Sequence, residues 1–171
     1  MCGIIGVIGH NKVSSLLIEG LKRLEYRGYD SAGIATLLNG KIDRRRSLGK
    51  IENLKRLLKK SPIKGNVGIG HTRWATHGIP SKTNAHPHSS GDVAVVHNGI
   101  IENYDALRRR LEKKNFTFES DTDTEVIAHL ISFFLKKNLS PLKATITALK
   151  KVEGAFALGI IFSGINNYLI C

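Results

Sequence analysis

The sequence is poor in cysteine and has no long hydrophobic run. Its two cysteines, Cys2 and Cys171, lie near the two ends of the chain, so no disulfide framework is expected and a reduced, cytoplasmic compartment is favoured. No apolar run approaches the ~18 residues of a membrane span, and no basic segment precedes a hydrophobic one near the start. We therefore expect a cytoplasmic protein without a membrane partner.

Proline is also scarce. The chain has four prolines and no Ser/Pro-rich tract, so we find no linker that would divide it. Its 171 residues fit a single domain, which at this size buries roughly 70% of its unfolded surface. With 42% hydrophobic and 23% charged residues, the composition excludes a disordered chain.

Basic residues outnumber acidic ones, 26 against 14, and give a formal net charge of +12. This excess makes a nucleic-acid-binding module one candidate function. The basic residues are, however, spread through helix-like stretches such as Lys55-Arg56, Arg108-Arg109-Arg110 and Lys150-Lys151. There they would lie on the solvated side of an amphipathic helix. We therefore expect no nucleic-acid partner.

Hydrophobic periodicity and turn signals predict an α+β fold. The predicted helices cover 13–24, 51–58, 104–114, 124–137 and 142–152, the last of them capped by Gly154. The predicted strands cover 3–8, 33–38, 41–48, 67–71, 93–97, 116–118, 155–162 and 167–171. Strands that arrive in hairpins between pairs of helices favour α+β layers over a parallel βαβ array. The polar stretch 72–92 is predicted to be a functional loop.

Cys2 is the first candidate for chemistry. Removal of the initiator Met would leave a thiol and a free α-amine in one residue. The reference pKa of an α-amine is about 7.7–8.0, so part of it is a neutral base at cytosolic pH. A nucleophile activated by its own amine is a known catalytic arrangement, although a small residue after the initiator Met is also common without any such role.

Further candidates lie around the long loop. Arg73 follows a strand and could bind a carboxylate through two parallel hydrogen bonds. The nearby histidines allow a metal-site interpretation, but their spacing matches no structural zinc pattern, and we expect no metal. Asn98 and the Gly99 N–H could form an oxyanion hole or an ordinary turn. Asp121 and Asp123 precede a helix, where at least one is expected to be an N-cap and the other could bind an ammonium group.

These residues occur in six strings that together resemble the class II, or N-terminal nucleophile, glutamine amidotransferases. The strings are MCGIIG (1–6), LEYRGYDSAG (24–33), HTRWATHG (71–78), NAHPH (84–88), HNGIIEN (97–103) and DTDTEVIAHL (121–130). The resemblance implies a four-layer αββα sandwich with two antiparallel sheets. It also implies L-glutamine as substrate and no cofactor.

The resemblance assigns roles to the candidates one by one. Cys2 would attack the side-chain amide of glutamine, with Asn98 and the Gly99 N–H binding the oxyanion. Arg73 would bind the α-carboxylate and Asp123 the α-ammonium group.

Four more residues receive supporting roles from the resemblance. Thr76 and His77 would line the same pocket, Arg27 would support the surroundings of the nucleophile, and Trp74 would gate the passage of ammonia. Residues 26–30 and Trp74 favour the branch of the family that aminates a sugar phosphate over the amidophosphoribosyltransferases.

The family's glutaminase domain continues beyond residue 171 of this chain. We therefore expect residues 1–171 to be an incomplete glutaminase domain, truncated at its C-terminus, with the sugar-isomerase domains of the full, homo-oligomeric enzyme absent. Three alternatives stay open. They are the glutaminase domain of another class II enzyme such as amidophosphoribosyltransferase, an inactive fragment, and a basic nucleic-acid-binding module.

Overall fold

The computed structural model describes residues 2–9 and 12–171, which form seven strands, five helices and one short 3₁₀ turn. The strands are β1 (Gly3–Ile8), β2 (Ser31–Leu38), β3 (Lys41–Leu48), β4 (Val67–Arg73), β5 (His88–Ser90), β6 (Val93–Ile101) and β7 (Gly154–Phe162). The helices are α1 (Val13–Leu24), α2 (Ile51–Lys60), α3 (Tyr104–Glu112), α4 (Thr124–Leu135) and α5 (Pro141–Leu149). No helix in the described ranges is long and apolar enough to span a bilayer.

The strands form two antiparallel sheets. The first has the order β1-β4-β2-β3, and the second has the order β5-β6-β7. The β2–β3 hairpin turns at Asn39 and Gly40, which both have positive φ, as a two-residue type I′ turn requires. The predicted hairpin is therefore confirmed.

The two sheets face each other between two layers of helices. Helices α1 and α2 pack on the first sheet, α4 packs on β5 and β6, and α3 and α5 pack on α4. Among the described residues, the buried apolar side chains form three clusters. One cluster lies under α1 and α2, one lies between the sheets, and one lies under α3, α4 and α5. The four-layer αββα sandwich is thereby confirmed.

The predicted strand 116–118 is wrong. In the part of the chain that the structure describes, this segment joins no sheet, and the hydrogen bonds at its start and just beyond its end run to α3 and α4. The Phe116 N–H donates to the Leu111 carbonyl and closes α3, and the N–H groups of Glu119 and Ser120 donate to the Glu125 carboxylate. The aromatic alternation serves packing instead, since the ring of Phe116 lies against His129.

Other boundaries also differ from the prediction. Strand β4 extends to Arg73 and strand β5 lies inside the stretch predicted as loop, so the true loop is shorter. Gly154, with φ +126°, begins β7 rather than capping α5, which ends at Leu149. The predicted strand 167–171 is reduced to a single antiparallel bridge between Ile170 and Ile160.

Candidate active site

Strand pairing places Cys2 at the edge of the first sheet, beside the end of β4. Because Gly3 pairs with Thr72, the antiparallel register brings Cys2 opposite Arg73, the last residue of β4, and within reach of Trp74. The Trp74 N–H donates to Cys2 Sγ at 3.3 Å, and the thiol donates to the Trp74 carbonyl at 3.6 Å. The candidate nucleophile is thus held by main-chain atoms of a neighbouring strand end.

The electrostatics of Cys2 favour the neutral thiol. Burial raises the pKa of the thiol, while the hydrogen bond from the Trp74 N–H and the charge of Arg73 act in the opposite direction without reversing the shift. A thiol with a raised pKa is a poor nucleophile at neutral pH. The attack by Cys2 therefore needs a proton acceptor close to the sulfur.

Two residues of the string 24–33 hold the backbone around Cys2. A Cβ at Gly28 would lie 2.6 Å from the Arg73 carbonyl carbon, so only glycine lets these two segments approach. The Asp30 N–H donates to the Arg73 carbonyl at 3.2 Å, and the Asp30 carboxylate accepts from the Ala75 N–H. Sequence reasoning quoted Asp30 only as part of a string and missed this role.

Arg73 is buried, with 3% of its surface exposed, and its guanidinium points at the following loop. It donates to the carbonyl oxygens of His77, Gly78 at 2.9 Å and Ile79 at 3.5 Å. The guanidinium also forms an ion pair with Asp30, whose Oδ1 lies 4.0 Å from Arg73 Nη1. A substrate carboxylate can take these donors by displacing the loop carbonyls.

Asn98 and Gly99 lie on β6, on the other side of Cys2. The Asn98 side-chain amide donates to the Cys2 carbonyl at 3.3 Å. Gly99 has φ +142°, and a Cβ there would lie 2.2 Å from the Ala155 carbonyl of β7. Position 99 therefore requires glycine, because the β6–β7 register brings the β7 backbone against it.

Asp123 precedes α4, but its carboxylate does not cap that helix by any hydrogen bond among the described residues. Its Oδ2 instead accepts from the Ile101 N–H at 2.9 Å, and the residue is only 4% exposed. Asp121 accepts from the Asn84 side-chain amide at 3.2 Å. Asp123 therefore occupies the N-cap position of α4 as predicted, but its carboxylate makes no capping hydrogen bond in the described part of the chain and lies in the lining of a cavity instead.

A small cavity of about 20 Å³ lies where these segments meet, with room for about one water molecule. Its lining includes most of the predicted site residues together with four that sequence reasoning did not assign to the site. The lining residues are Cys2, Arg73, Trp74, Thr76, His77, His86, His97, Gly99, Thr122, Asp123 and Thr124. The four additions, His86, His97, Thr122 and Thr124, all lie in the six strings, so their closeness in sequence to the predicted site residues was the available signal.

Of the predicted site residues, Arg27 and Asn98 do not line this cavity, whereas Trp74 lines it and is about half exposed. The Arg27 Nε donates to the Tyr26 hydroxyl at 3.0 Å. The Trp74 side chain is 48% exposed, and its ring meets the edge of Tyr29 at 5.6 Å. The assigned supporting and gating roles of both residues stay predictions.

Behind the cavity lies a group of buried histidines. The rings of His71 and His86 stack with centroids 4.0 Å apart, and His88 meets His86 edge-on at 4.8 Å. Burial lowers the pKa of His71 and of His88 to about 3 and that of His86 well below its ordinary value, so all three are neutral at physiological pH. Across residues 2–9 and 12–171, no three His, Cys, Asp or Glu side chains converge as metal ligands would.

Comparison with known proteins identifies the family. The model of the glutamine amidotransferase domain matches residues 71–170. The chain is 56% identical over 170 residues to the glutamine–fructose-6-phosphate aminotransferases (isomerizing) of Mesorhizobium japonicum and Zymomonas mobilis. These matches cover 99% of this chain and 28% of each relative, so the chain spans little more than a quarter of their length.

Solved structures agree with this result. The glutamine phosphoribosylpyrophosphate amidotransferase of B. subtilis has a TM-score of 0.81 at 29% identity and covers 95% of this chain and 35% of its own. An allosteric regulatory enzyme of purine biosynthesis has a TM-score of 0.82 at 30% identity, and the match covers 94% of this chain and 35% of that enzyme's chain.

The sequence strings favoured one branch of the family, that of glucosamine-6-phosphate synthase, also called glutamine–fructose-6-phosphate aminotransferase (isomerizing). The higher identity to that enzyme than to the amidophosphoribosyltransferase confirms the resemblance. The fold, the site and the family match lead to the same conclusion: the chain belongs to the family of glutamine amidotransferase domains.

Proposed function

We propose that this chain hydrolyses the side-chain amide of L-glutamine to glutamate and ammonia through a Cys2 thioester. The observation that carries the proposal is the position of Cys2 Sγ, in a cavity lined by a buried cation, Arg73, and a buried carboxylate, Asp123. A free amino acid carries one group complementary to each. Such a site orients the amide of glutamine toward the sulfur by its two charged groups.

Each charged group has a specific partner in the proposal. The α-carboxylate displaces the loop carbonyls from the Arg73 guanidinium and gains charge-assisted hydrogen bonds. The α-ammonium donates to the Asp123 carboxylate. Thr76 and His77 line the cavity between them and contact the bound substrate.

The reaction proceeds in two steps. The Cys2 sulfur forms a bond to the amide carbon as its proton passes to the free α-amine of residue 2. The oxyanion is bound by the Asn98 amide and the Gly99 N–H. The carbon–nitrogen bond then breaks, and the nitrogen leaves as ammonia with that proton. Water attacks the resulting γ-glutamyl thioester, releases glutamate and restores the thiol.

The further use of the ammonia belongs to a longer protein. We propose that residues 1–171 form the glutaminase part of an enzyme whose sugar-isomerase domains convert fructose 6-phosphate to glucosamine 6-phosphate with this ammonia. Trp74 would gate its passage, and Arg27 would support the surroundings of Cys2. The proposal places the full enzyme in the cytoplasm as a homo-oligomer.

The test measures glutamine-dependent ammonia release by a chain whose mass shows that Met1 has been removed. Hydroxylamine in the same assay should trap the acyl group as γ-glutamyl hydroxamate. Cys2→Ala should abolish both products, whereas the matched control Cys171→Ser, at an exposed cysteine, should leave both unchanged. Ammonia release that persists in Cys2→Ala, or is absent from the chain with Cys2, would refute the proposal.

A further inference from the structure

The hydroxyl of Thr124 joins two imidazoles and a carboxylate at the back of the cavity. Its oxygen lies 2.8 Å from His97 Nδ1, 3.3 Å from His86 Nε2 and 3.5 Å from Asp123 Oδ1. The exposed fractions of these four residues range from 1% to 5%. Water therefore cannot substitute easily for any of these contacts.

The direction of the hydrogen bond between His86 and Thr124 follows from a main-chain donor. The His97 N–H can only donate, and it points at His86 Nδ1 at 3.3 Å. His86 is neutral, because burial lowers its pKa well below the ordinary value, so its single ring proton is on Nε2. His86 Nε2–H consequently donates to the Thr124 oxygen.

The remaining proton of this group then has one favourable position. A hydroxyl accepts two hydrogen bonds and donates one. If Thr124 donated to His97 Nδ1, the ring proton of His97 would be on Nε2, an atom that is buried without a partner among the described residues. A buried N–H without an acceptor is rarer than a bare lone pair, so His97 Nδ1–H donates to Thr124. The Thr124 proton is left to point at Asp123 Oδ1.

The Asp123 carboxylate is thereby held at both oxygens. Its Oδ2 accepts from the Ile101 N–H on β6, two residues beyond Gly99, and its Oδ1 faces the Thr124 hydroxyl. We propose that Thr124 is a positioning residue whose hydroxyl orients the Asp123 carboxylate toward the α-ammonium group of the substrate. This inference rests on the proposed function, and it adds Thr124, with His86 and His97 behind it, to the residues that select an amino acid.

Binding in a Cys2→Ala background tests the role of Thr124 without turnover. The probes are L-glutamine and glutaramate, which has the same amide and carboxylate but lacks the ammonium group. Calorimetry should show that Thr124→Val weakens glutamine binding about tenfold, the equivalent of about 1.4 kcal/mol, and leaves glutaramate binding within about twofold. Thr124→Ser, which keeps the hydroxyl, should restore the preference for glutamine.

The matched control is Thr145→Val. Thr145 is a buried helical threonine whose hydroxyl donates to the Pro141 carbonyl at 2.8 Å, on α5 and outside the cavity lining. The Thr145→Val variant should be less stable, but the ratio of its affinities for glutamine and glutaramate should not change. An unchanged ratio in Thr124→Val, an equal loss for both ligands, or no binding of glutamine in the background chain would overturn the inference. Ammonia release by the chain with Cys2 decides the proposed function separately.

Discussion

Acid should unfold this protein well above the pH at which carboxylates titrate, because three histidines are buried in their neutral form. His71, His86 and His88 are each at most 5% exposed, and burial lowers the pKa of each far below the ordinary value. In the unfolded chain, the same imidazoles titrate at a pKa of about 6.5. Their contribution to stability is therefore complete above pH 6.5 and is lost as the pH falls toward their folded-state pKa values.

The magnitude follows from linkage. One pH unit below the unfolded pKa, each imidazole that stays neutral in the folded state lowers the free energy of unfolding by about 1.4 kcal/mol. For His71, His86 and His88 together, the loss between pH 7.5 and pH 5.5 is about 4 kcal/mol. Domains of this size have total stabilities of about 5–15 kcal/mol, so the protein should be close to unfolding at pH 5.

Urea denaturation at pH 7.5 and pH 5.5 measures this loss directly. His88→Gln provides the matched variant, because it removes one titrating ring that contacts the Thr122 hydroxyl at 3.0 Å. The variant should be less stable at pH 7.5, and its loss on acidification should be smaller by about 1.4 kcal/mol. A loss below about 1 kcal/mol in the parent chain, or an equal loss in both proteins, would refute the reasoning.

Three other predictions concern the site and its surroundings. An uncleaved extension before Cys2 should abolish ammonia release, because it removes the free amine and keeps the thiol, and intact mass together with an ammonia assay checks this. Arg73→Ala and Asp123→Ala each remove a charged partner of the substrate and should lower kcat/KM for glutamine about 10- to 150-fold. Asn98→Ala should instead lower kcat about 100-fold, because the contact of Asn98 strengthens as the oxyanion forms. Steady-state kinetics separates the two patterns. Glu125→Gln should lower the free energy of unfolding at neutral pH. Burial alone would raise the pKa of Glu125, but the neighbouring His129 ring and the hydrogen bonds from Glu119 and Ser120 lower it to about 2, so the carboxylate contributes about 3 kcal/mol above pH 4.5. Because the protein is already close to unfolding at pH 5, urea denaturation of both proteins at pH 7.5 measures this contribution.

The elements with strong local signals were predictable from the sequence. The β2–β3 hairpin has an Asn39-Gly40 turn that specifies its geometry, and α1 and α2 have an apolar face at helical spacing. Segment 116–118 was not predictable in the same way. Its alternating aromatics are typical of a strand, but the Phe116 N–H bonds to the end of α3 and the Glu119 N–H just after the segment bonds to Glu125, which is a tertiary effect.

The residues of the candidate site also differ in how far the sequence predicts them. Cys2, Arg73, Asn98 and Asp123 were identified because their chemistry is distinctive and they lie in recognisable strings. Thr124 could not be singled out, because a threonine at a helix start is ordinary until the sheet register brings it to two imidazoles and a carboxylate. Such a residue is found only once the structure shows which buried polar atoms share one hydroxyl.

The closed cavity links substrate binding to movement of the loop after β4. A volume of about 20 Å³ cannot hold glutamine, and the Arg73 donors that would bind its carboxylate are already used by the carbonyls of residues 77–79. A carboxylate that binds the two Arg73 nitrogens, Nη1 and Nη2, replaces those carbonyls, so the loop of residues 77–79 has to move. Opening and binding are in this way parts of one equilibrium, and the apparent affinity for glutamine is its intrinsic affinity reduced by the fraction of molecules with an open loop. The proposed function thus gives Arg73 two alternating sets of partners, the loop carbonyls and the substrate carboxylate, and the exchange between them would let a buried site admit a charged substrate.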